Sequence, residues 1–230
     1  MSDSFANLLA IDTSTKYLRL ALSFGDDRVI KFGEEADQAQ GQMIMKKIAD
    51  LFASAQRIPK DLHGIIVCTG PGSFTGLRIG IASAKGMVQA LGVPIVGVSV
   101  FEAAAYMLRD EKDPVEIITA VRRDEFIIGT VQQGTFDTNS IRVAAVTELA
   151  DQLQNRPFAF VGLGEDVRSY TAGGSNLSHR IAFDASHILQ IGKEKLQNGH
   201  TSDVATLEPM YIQKSQAEIK FEQRQSKQAN

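Results

Sequence analysis

Asp12 is the first residue of this chain whose type and setting could do chemistry. It closes the apolar run Leu8-Leu9-Ala10-Ile11 and precedes Thr13-Ser14-Thr15. A carboxylate and hydroxyls at a strand end can hold a metal–nucleotide, and they also suit a polar strand end turned to water. A second candidate is Thr69-Gly70-Pro71-Gly72-Ser73-Phe74-Thr75-Gly76-Leu77-Arg78-Ile79-Gly80, which follows the apolar run Ile65–Cys68. A Gly-rich turn between a strand and a helix offers free N–H groups to an anion. The Walker pattern would need Gly-Lys-Ser/Thr where this chain has Gly76-Leu77-Arg78. A dinucleotide fingerprint would need a third Gly and no Pro in the turn. Ser73, Phe74, Thr75 and Arg78 therefore suit either a structural turn or contact with a ligand or partner. Arg122 and Arg123 could meet phosphate or a partner's carboxylate, or simply form a solvated hairpin turn.

The remaining reactive types form no set. His63, His179, His187 and His200 are never three or four apart, so no helical pair can grip a metal, and no metal site is expected. The single Cys68 lies in an apolar strand with no His near it in sequence, which reads as a buried, inert thiol. No nucleophile, base and orienting group come together, so no catalytic residue is assigned.

Stepping from these residues to the segments that must hold them, the pattern gives an α/β chain. Leu8–Asp12, Leu18–Phe24 and Arg28–Gly33 read as an antiparallel meander with a turn at Gly25-Asp26-Asp27. Gln40–Gln56 reads as a helix with a wide apolar stripe. The Thr69–Gly80 turn should open a helix running from about Thr75 to Leu91, capped by Ser73 or Thr75 and ended by Gly92 ahead of Pro94. Gly76, Gly80 and Ala84 make a small-residue track on it, which permits close backbone approach. Three Gly inside a helix cost about 1 kcal/mol each against Ala, so tight packing should require them. Pro94–Val98 is a strand, and Ser99 with Glu102 forms a capping box for Val100–Leu108. This βββαβαβα order suggests a ribonuclease-H-like unit.

Charged residues 110–113 and Pro114 mark a half-boundary. Val115–Val121 and Glu125–Gln132 read as a hairpin. Residues 134–140 read as a loop and Ile141–Val143 as a short strand. Thr147 should cap a short helix to Gln154. Phe158–Val161 is a strand, Gly162-Leu163-Gly164 and residues 171–178 are loops, and Ala185–Leu196 is a helix. The second half is thus a smaller, degraded echo of the first. The expected domains are 1–110, 111–213 and a polar tail at 214–230, disordered at least at its end.

The chain has 230 residues, 43% hydrophobic and 22% charged, with a net charge of −3. That balance gives no general pull toward nucleic acid or an anionic membrane. No apolar run approaches the ~20 residues of a membrane span, and Met1–Asn7 carries no secretory pattern, so a cytoplasmic location is expected.

Leu9-Ala10-Ile11-Asp12-Thr13-Ser14-Thr15, the Gly70-Pro71-Gly72-Ser73-Phe74-Thr75-Gly76-Leu77-Arg78-Ile79-Gly80 block and Pro94-Ile95-Val96-Gly97-Val98-Ser99 together resemble the TsaB (YeaZ) family of tRNA threonylcarbamoyladenosine proteins. Glu208-Pro209-Met210-Tyr211-Ile212 resembles that family's ending. The resemblance implies the ASKHA (actin-like ATPase) fold of two ribonuclease-H-like lobes, related to M22 glycopeptidases but not catalytic. It implies a heterodimer with the catalytic, metal-bearing paralogue TsaD, joined by the ATPase TsaE, with tRNA contacted through these partners. It implies no cofactor of its own, with ADP or ATP as the candidate ligand at the TsaD interface. It also implies a homodimer in isolation through the first two helices, which gives Met45, Ile48, Phe52, Gly76, Ile79, Gly80, Ser83, Ala84 and Met87 as interface candidates. Two departures stand out: Gln40-Gly41-Gln42 replaces a His-Ser-Glu segment, and Ala120-Val121-Arg122 replaces Asp-Ala-Arg. The rival readings are an M22-type metallopeptidase and an ASKHA ATPase or kinase acting alone.

Overall fold

The computed structural model describes residues 5–25, 28–36, 40–122, 125–145, 147–149, 157–161, 178–181 and 184–212. Its first sheet is built from β1 (Leu8–Asp12), β2 (Tyr17–Phe24), β3 (Arg28–Glu35), β4 (Gly64–Gly70) and β5 (Ile95–Ser99). Spatial order is β3-β2-β1-β4-β5. The meander is antiparallel, while β1, β4 and β5 run parallel. The second sheet uses β6 (Val115–Arg122), β7 (Glu125–Gln132), β8 (Thr135–Ala145), β9 (Phe158–Val161) and β10 (Ser178–Ile181). Its order is β8-β7-β6-β9-β10, with β6 antiparallel to β7 and parallel to β9, as β1 is to β2 and β4. Both lobes therefore repeat one ribonuclease-H-like strand order, as the sequence predicts.

Helices α1 (Gln40–Ser54) and α2 (Phe74–Leu91) cover one face of the first sheet. Ile44, Ile48, Phe52, Ile81, Ala84 and Val88 pack there against Leu9, Ile11, Leu20, Leu22, Ile65 and Val67. Helices α3 (Val100–Met107) and α4 (Ala185–Gln197) take the other face. Phe101, Ala104, Ile188 and Leu189 join Leu8, Ala10, Ile66 and Cys68 of the first sheet to Ile117, Ile127 and Ala159 of the second. The close approach of α4 is set by Gly192, where a β-carbon would lie 2.1 Å from Ile66 Cγ1.

The helix boundaries follow the sequence signals. Ser73 accepts a hydrogen bond from Gly76 N at the start of α2, and Gly92 ends it in the left-handed region at φ 69°. Ser99 and Glu102 form the capping box of α3. Elsewhere the structure differs. β8 runs over residues 135–145, although 134–140 reads as loop; it is an edge strand whose polar Asp137-Thr138-Asn139-Ser140 stretch stays in the ladder's span. β10 occupies 178–181, at the end of a stretch read as loop. The end of β2 is buried on both faces, since Ala21 is fully buried and Ser23 nearly so. Residues 147–149 are helical; the remainder of that expected helix, Gly162-Leu163-Gly164 and the 214–230 tail lie outside the described residues.

The expected second-lobe range 111–213 includes α4, whose packing lies on the first sheet and on α3. After α4 the chain continues as a strap, residues 199–212, along the β5 edge. Ser202 N donates to Ile95 O at 2.8 Å, and Met210 N donates to Thr69 O at 2.7 Å.

Candidate functional site

Asp12 ends β1 with no exposed surface. Its Oδ1 accepts from Ser14 N at 2.9 Å, and its Oδ2 accepts from Arg19 Nη1 at 3.0 Å. Arg19 is opposite Asp12 in the β1–β2 register and also donates to Thr15 Oγ1 at 2.9 Å. The carboxylate is thus neutralised by its own hairpin and enclosed. Cys68 lies beside Asp12 and Ser14 on β4. Burial pushes its thiol pKa well up, and the Asp12 charge adds to the rise. An unionised thiol is a poor nucleophile, in keeping with the inert role read from sequence.

The Gly-rich turn closes over the Thr13-Ser14 backbone. Gly70 needs φ +96°, which favours Gly, and the Gly70–Pro71 bond is cis. Ser73 N donates to Ser14 O at 2.7 Å. A β-carbon on Gly72 would lie 2.1 Å from Ser14 O, and one on Gly76 would lie 2.1 Å from Thr13 O. Gly80 is equally close to Thr13 Oγ1, at 2.2 Å. The small-residue track of α2 is therefore the floor on which the Asp12 turn rests. The Ser73 and Gly76 amides are already bonded, to Ser14 O and Ser73 Oγ. Thr13 Oγ1 and Ser14 Oγ are buried without a hydrogen-bond partner among the described residues. Asp12, Thr13, Ser14 and Ser73 are brought together, but as one packed joint.

Gln40 completes that joint. It is buried at the start of α1, and its Nε2 donates to Thr15 O at 2.7 Å and Tyr17 O at 3.2 Å. Sequence reading noted Gln40 only as a departure from a family pattern, and did not foresee that its amide would tie α1 to the β1–β2 turn. Arg19 was likewise missed, because strand alternation gives no sign of which carboxylate an outward Arg will meet.

The remaining candidates lie further out. Phe74 and Arg78 sit on the outer side of the turn, with Thr75 exposed beside them. Arg78 Nε donates to Tyr211 Oη at 2.8 Å, so the strap brings a third group that the sequence did not place there. Arg122 ends β6, paired in register with Glu125, on the second-lobe hairpin that corresponds to β1–β2. Arg123 falls outside the described residues.

The interface candidates divide by burial. Ile48, Phe52, Gly76, Gly80, Ala84 and Met87 are buried inside the chain, against its own sheet and turn. Close approach was read correctly from the small residues, but the neighbour is the Thr13 turn and not a partner helix. Only Met45, 52% exposed, and the half-buried Ile79 and Ser83 of that set present surface. Ala49, Ala82 and Gly86 are exposed near them.

Comparison with known proteins places this geometry. A family model for TsaD, tRNA N6-adenosine threonylcarbamoyltransferase, matches residues 32–221. The tRNA threonylcarbamoyladenosine biosynthesis protein TsaB of Bacillus subtilis (strain 168) is 30% identical over 227 residues, covering 93% of this chain and 97% of that protein. The chain belongs to the TsaB family. The TsaB protein of Escherichia coli (strain K12) is 26% identical, covering 91% of this chain and 96% of its own length. Among solved structures, YeaZ from Pseudomonas aeruginosa superposes with a TM-score of 0.71 at 24% identity, covering 90% of this chain and all of that one, which shows a shared fold. Within the TsaB fold of this chain, the Gly70–Gly80 block is the hinge between the Asp12 turn and α2. Among the described residues no helix is long and apolar enough to cross a membrane.

Proposed function

We propose that this chain serves tRNA threonylcarbamoyladenosine biosynthesis as a non-catalytic cytoplasmic subunit that binds TsaD and, through it, TsaE. The observation that carries the reading is kinship with Bacillus subtilis TsaB along nearly the whole of both chains. Asp12 supports the non-catalytic part. A carboxylate that serves a metal–nucleotide must reach it, and here both oxygens are engaged by Arg19 and Ser14 under a closed turn. The TsaD-binding face in this reading is the exposed part of α1 and α2 around Met45, Ile79, Ser83 and Gly86, which the isolated chain would use to pair with itself. ADP or ATP would sit at the TsaD interface, and tRNA would be met through the partners.

The test mixes the purified chain with TsaD from the same organism. Mass is followed by light scattering, and modification by tRNA nucleoside analysis. A mixed complex, with modification only when both proteins are present, is the expected result. Steady ATP turnover by this chain alone, lost in Asp12→Ala, would replace the reading with an ATPase or kinase. Peptide hydrolysis abolished by a chelator would replace it with a metallopeptidase.

A further inference from the structure

The outer end of α2 holds an arrangement that the subunit reading leaves unused. The Arg78 guanidinium lies 4.0 Å over the Phe74 ring and 5.6 Å from the Tyr211 ring. The two rings are 5.0 Å apart. Arg78 is exposed, and an exposed arginine ordinarily loses side-chain entropy when it is ordered by a partner. Here the ordering is done in advance. Tyr211 arrives on the strap, which is fastened at Ser202 and Met210 and pressed over Gly97 by Leu207. Tyr211 Oη occupies the Nε side of the guanidinium. The two Nη groups meet no acceptor among the described residues, so the end-on fork faces outward. That fork matches a carboxylate with two parallel hydrogen bonds.

We propose that Arg78, held by Phe74 and Tyr211, is the docking point for a carboxylate side chain on the protein partner, an inference that rests on the reading that this chain binds TsaD. The surroundings favour protein over nucleic acid. A phosphate backbone calls for several cations in a row. Thr75 and Ala82 next to Arg78 are uncharged, and the next cation on that face of α2, Lys85, already donates to Ala205 O of the strap. Arg and Tyr are the side chains that most often dominate protein interfaces. Arg78 adjoins the half-buried Ile79 in sequence and lies one turn from the exposed Ala82, so the fork sits beside uncharged surface of α2.

The test measures binding of the full chain to TsaD of its organism by calorimetry at two salt concentrations. The unaltered chain is compared with Arg78→Lys, Arg78→Gln, Tyr211→Phe and the Arg78→Lys/Tyr211→Phe double variant, and melting temperatures are taken for each. Arg78→Lys keeps the charge and loses the fork, and should weaken binding about tenfold. Arg78→Gln should weaken it further and flatten its salt dependence. Tyr211→Phe keeps the ring and loses the anchor, and should weaken binding about threefold at an unchanged melting temperature. The double variant should be no weaker than Arg78→Lys, because Tyr211 acts through Arg78. Undiminished binding by both Arg78 variants overturns this inference alone. Loss of tRNA retention by the complex at undiminished TsaD affinity overturns it too, and assigns Arg78 to phosphate. No association by the unaltered chain overturns the functional reading, and this inference with it.

Discussion

Thr13 Oγ1 faces Gly80 so closely that a β-carbon on Gly80 would lie 2.2 Å from it, whereas Thr13 Cβ would be 3.4 Å away. The hydroxyl is also buried with no hydrogen-bond partner among the described residues. Gly80→Ala should therefore cost about 1–3 kcal/mol by overpacking. Thr13→Ala should be nearly neutral, since it removes an unsatisfied group. The double variant should recover most of the loss, because the clash is with the hydroxyl itself. Urea denaturation of the four proteins closes the cycle, and simple additivity would show that the clash is relieved elsewhere.

Gly86 behaves oppositely. It is exposed in the same helix, and a β-carbon there would meet nothing within 4 Å. Gly86→Ala should stabilise the chain by up to about 1 kcal/mol through helix propensity. A raised melting temperature of the isolated monomer is the expected result. Tight packing thus accounts for Gly76 and Gly80 but not for Gly86, contrary to the expectation that all three helix glycines answer one need.

Gln40→Leu removes an amide from two half-buried acceptors, the carbonyls of Thr15 and Tyr17. A fully buried acceptor left without a donor costs about 1–3 kcal/mol, and a half-buried one costs less. Equilibrium unfolding should show a loss of about 1–2 kcal/mol over the two. A loss within error would mean that water takes over both carbonyls.

Much of the frame was legible because its signals are local. Ser73 before α2, Gly92 after it and the Ser99–Glu102 pair each report on the turn they sit in, and each is where the sequence puts it. The order of elements along the first lobe followed from the sequence of apolar runs. What failed was the identity of distant neighbours. The Gly76-Gly80-Ala84 track announces close approach but not to what, and the Thr13 turn is more than sixty residues away in sequence. Tyr211 meets Arg78 across a separation of 133 residues. β8 was misread for a different reason. An edge strand with most of its side chains in water has no need of apolar alternation, and Asp137-Thr138-Asn139-Ser140 mimics a turn.

Asp184 caps α4 and bonds Lys31 Nζ on β3 at 2.9 Å. Burial alone would raise its pKa, but the Ser186 hydroxyl, Lys31 and the Ser186 amide outweigh it and hold the carboxyl below its usual 3.8. A folded-state pKa below the unfolded one gives stability that is present above about pH 3.8 and is lost as pH falls through the lower value. Asp184→Asn keeps a capping side chain but cannot titrate. Stability measured against pH should fall less steeply below pH 3.8 in this variant. The Lys31 contribution should be small, as both side chains are more than a third exposed.

Cys68 offers a probe of opening. Its thiol is fully buried and its pKa is raised by burial and by Asp12. Labelling by a thiol reagent at pH 8 should track unfolding in urea rather than precede it. Rapid labelling of the native chain would mean that the β4 end opens locally.

The position of α4 also bears on how the chain is made. β1 to β5 are complete by Ser99, yet one face of that sheet is closed by residues 185–197. Leu8, Ala10, Ile66 and Cys68 on that face pack in one cluster with both α3 and α4, so their cover stays unfinished until residues 185–197 have been made. The first lobe is therefore not completed by its N-terminal residues alone, and the nascent chain carries part of an apolar sheet face uncovered from the end of α3 at Met107 until α4 is made. Closure waits on contacts of very long sequence separation, which slows folding and makes residues 185–197 decisive for the yield of native protein.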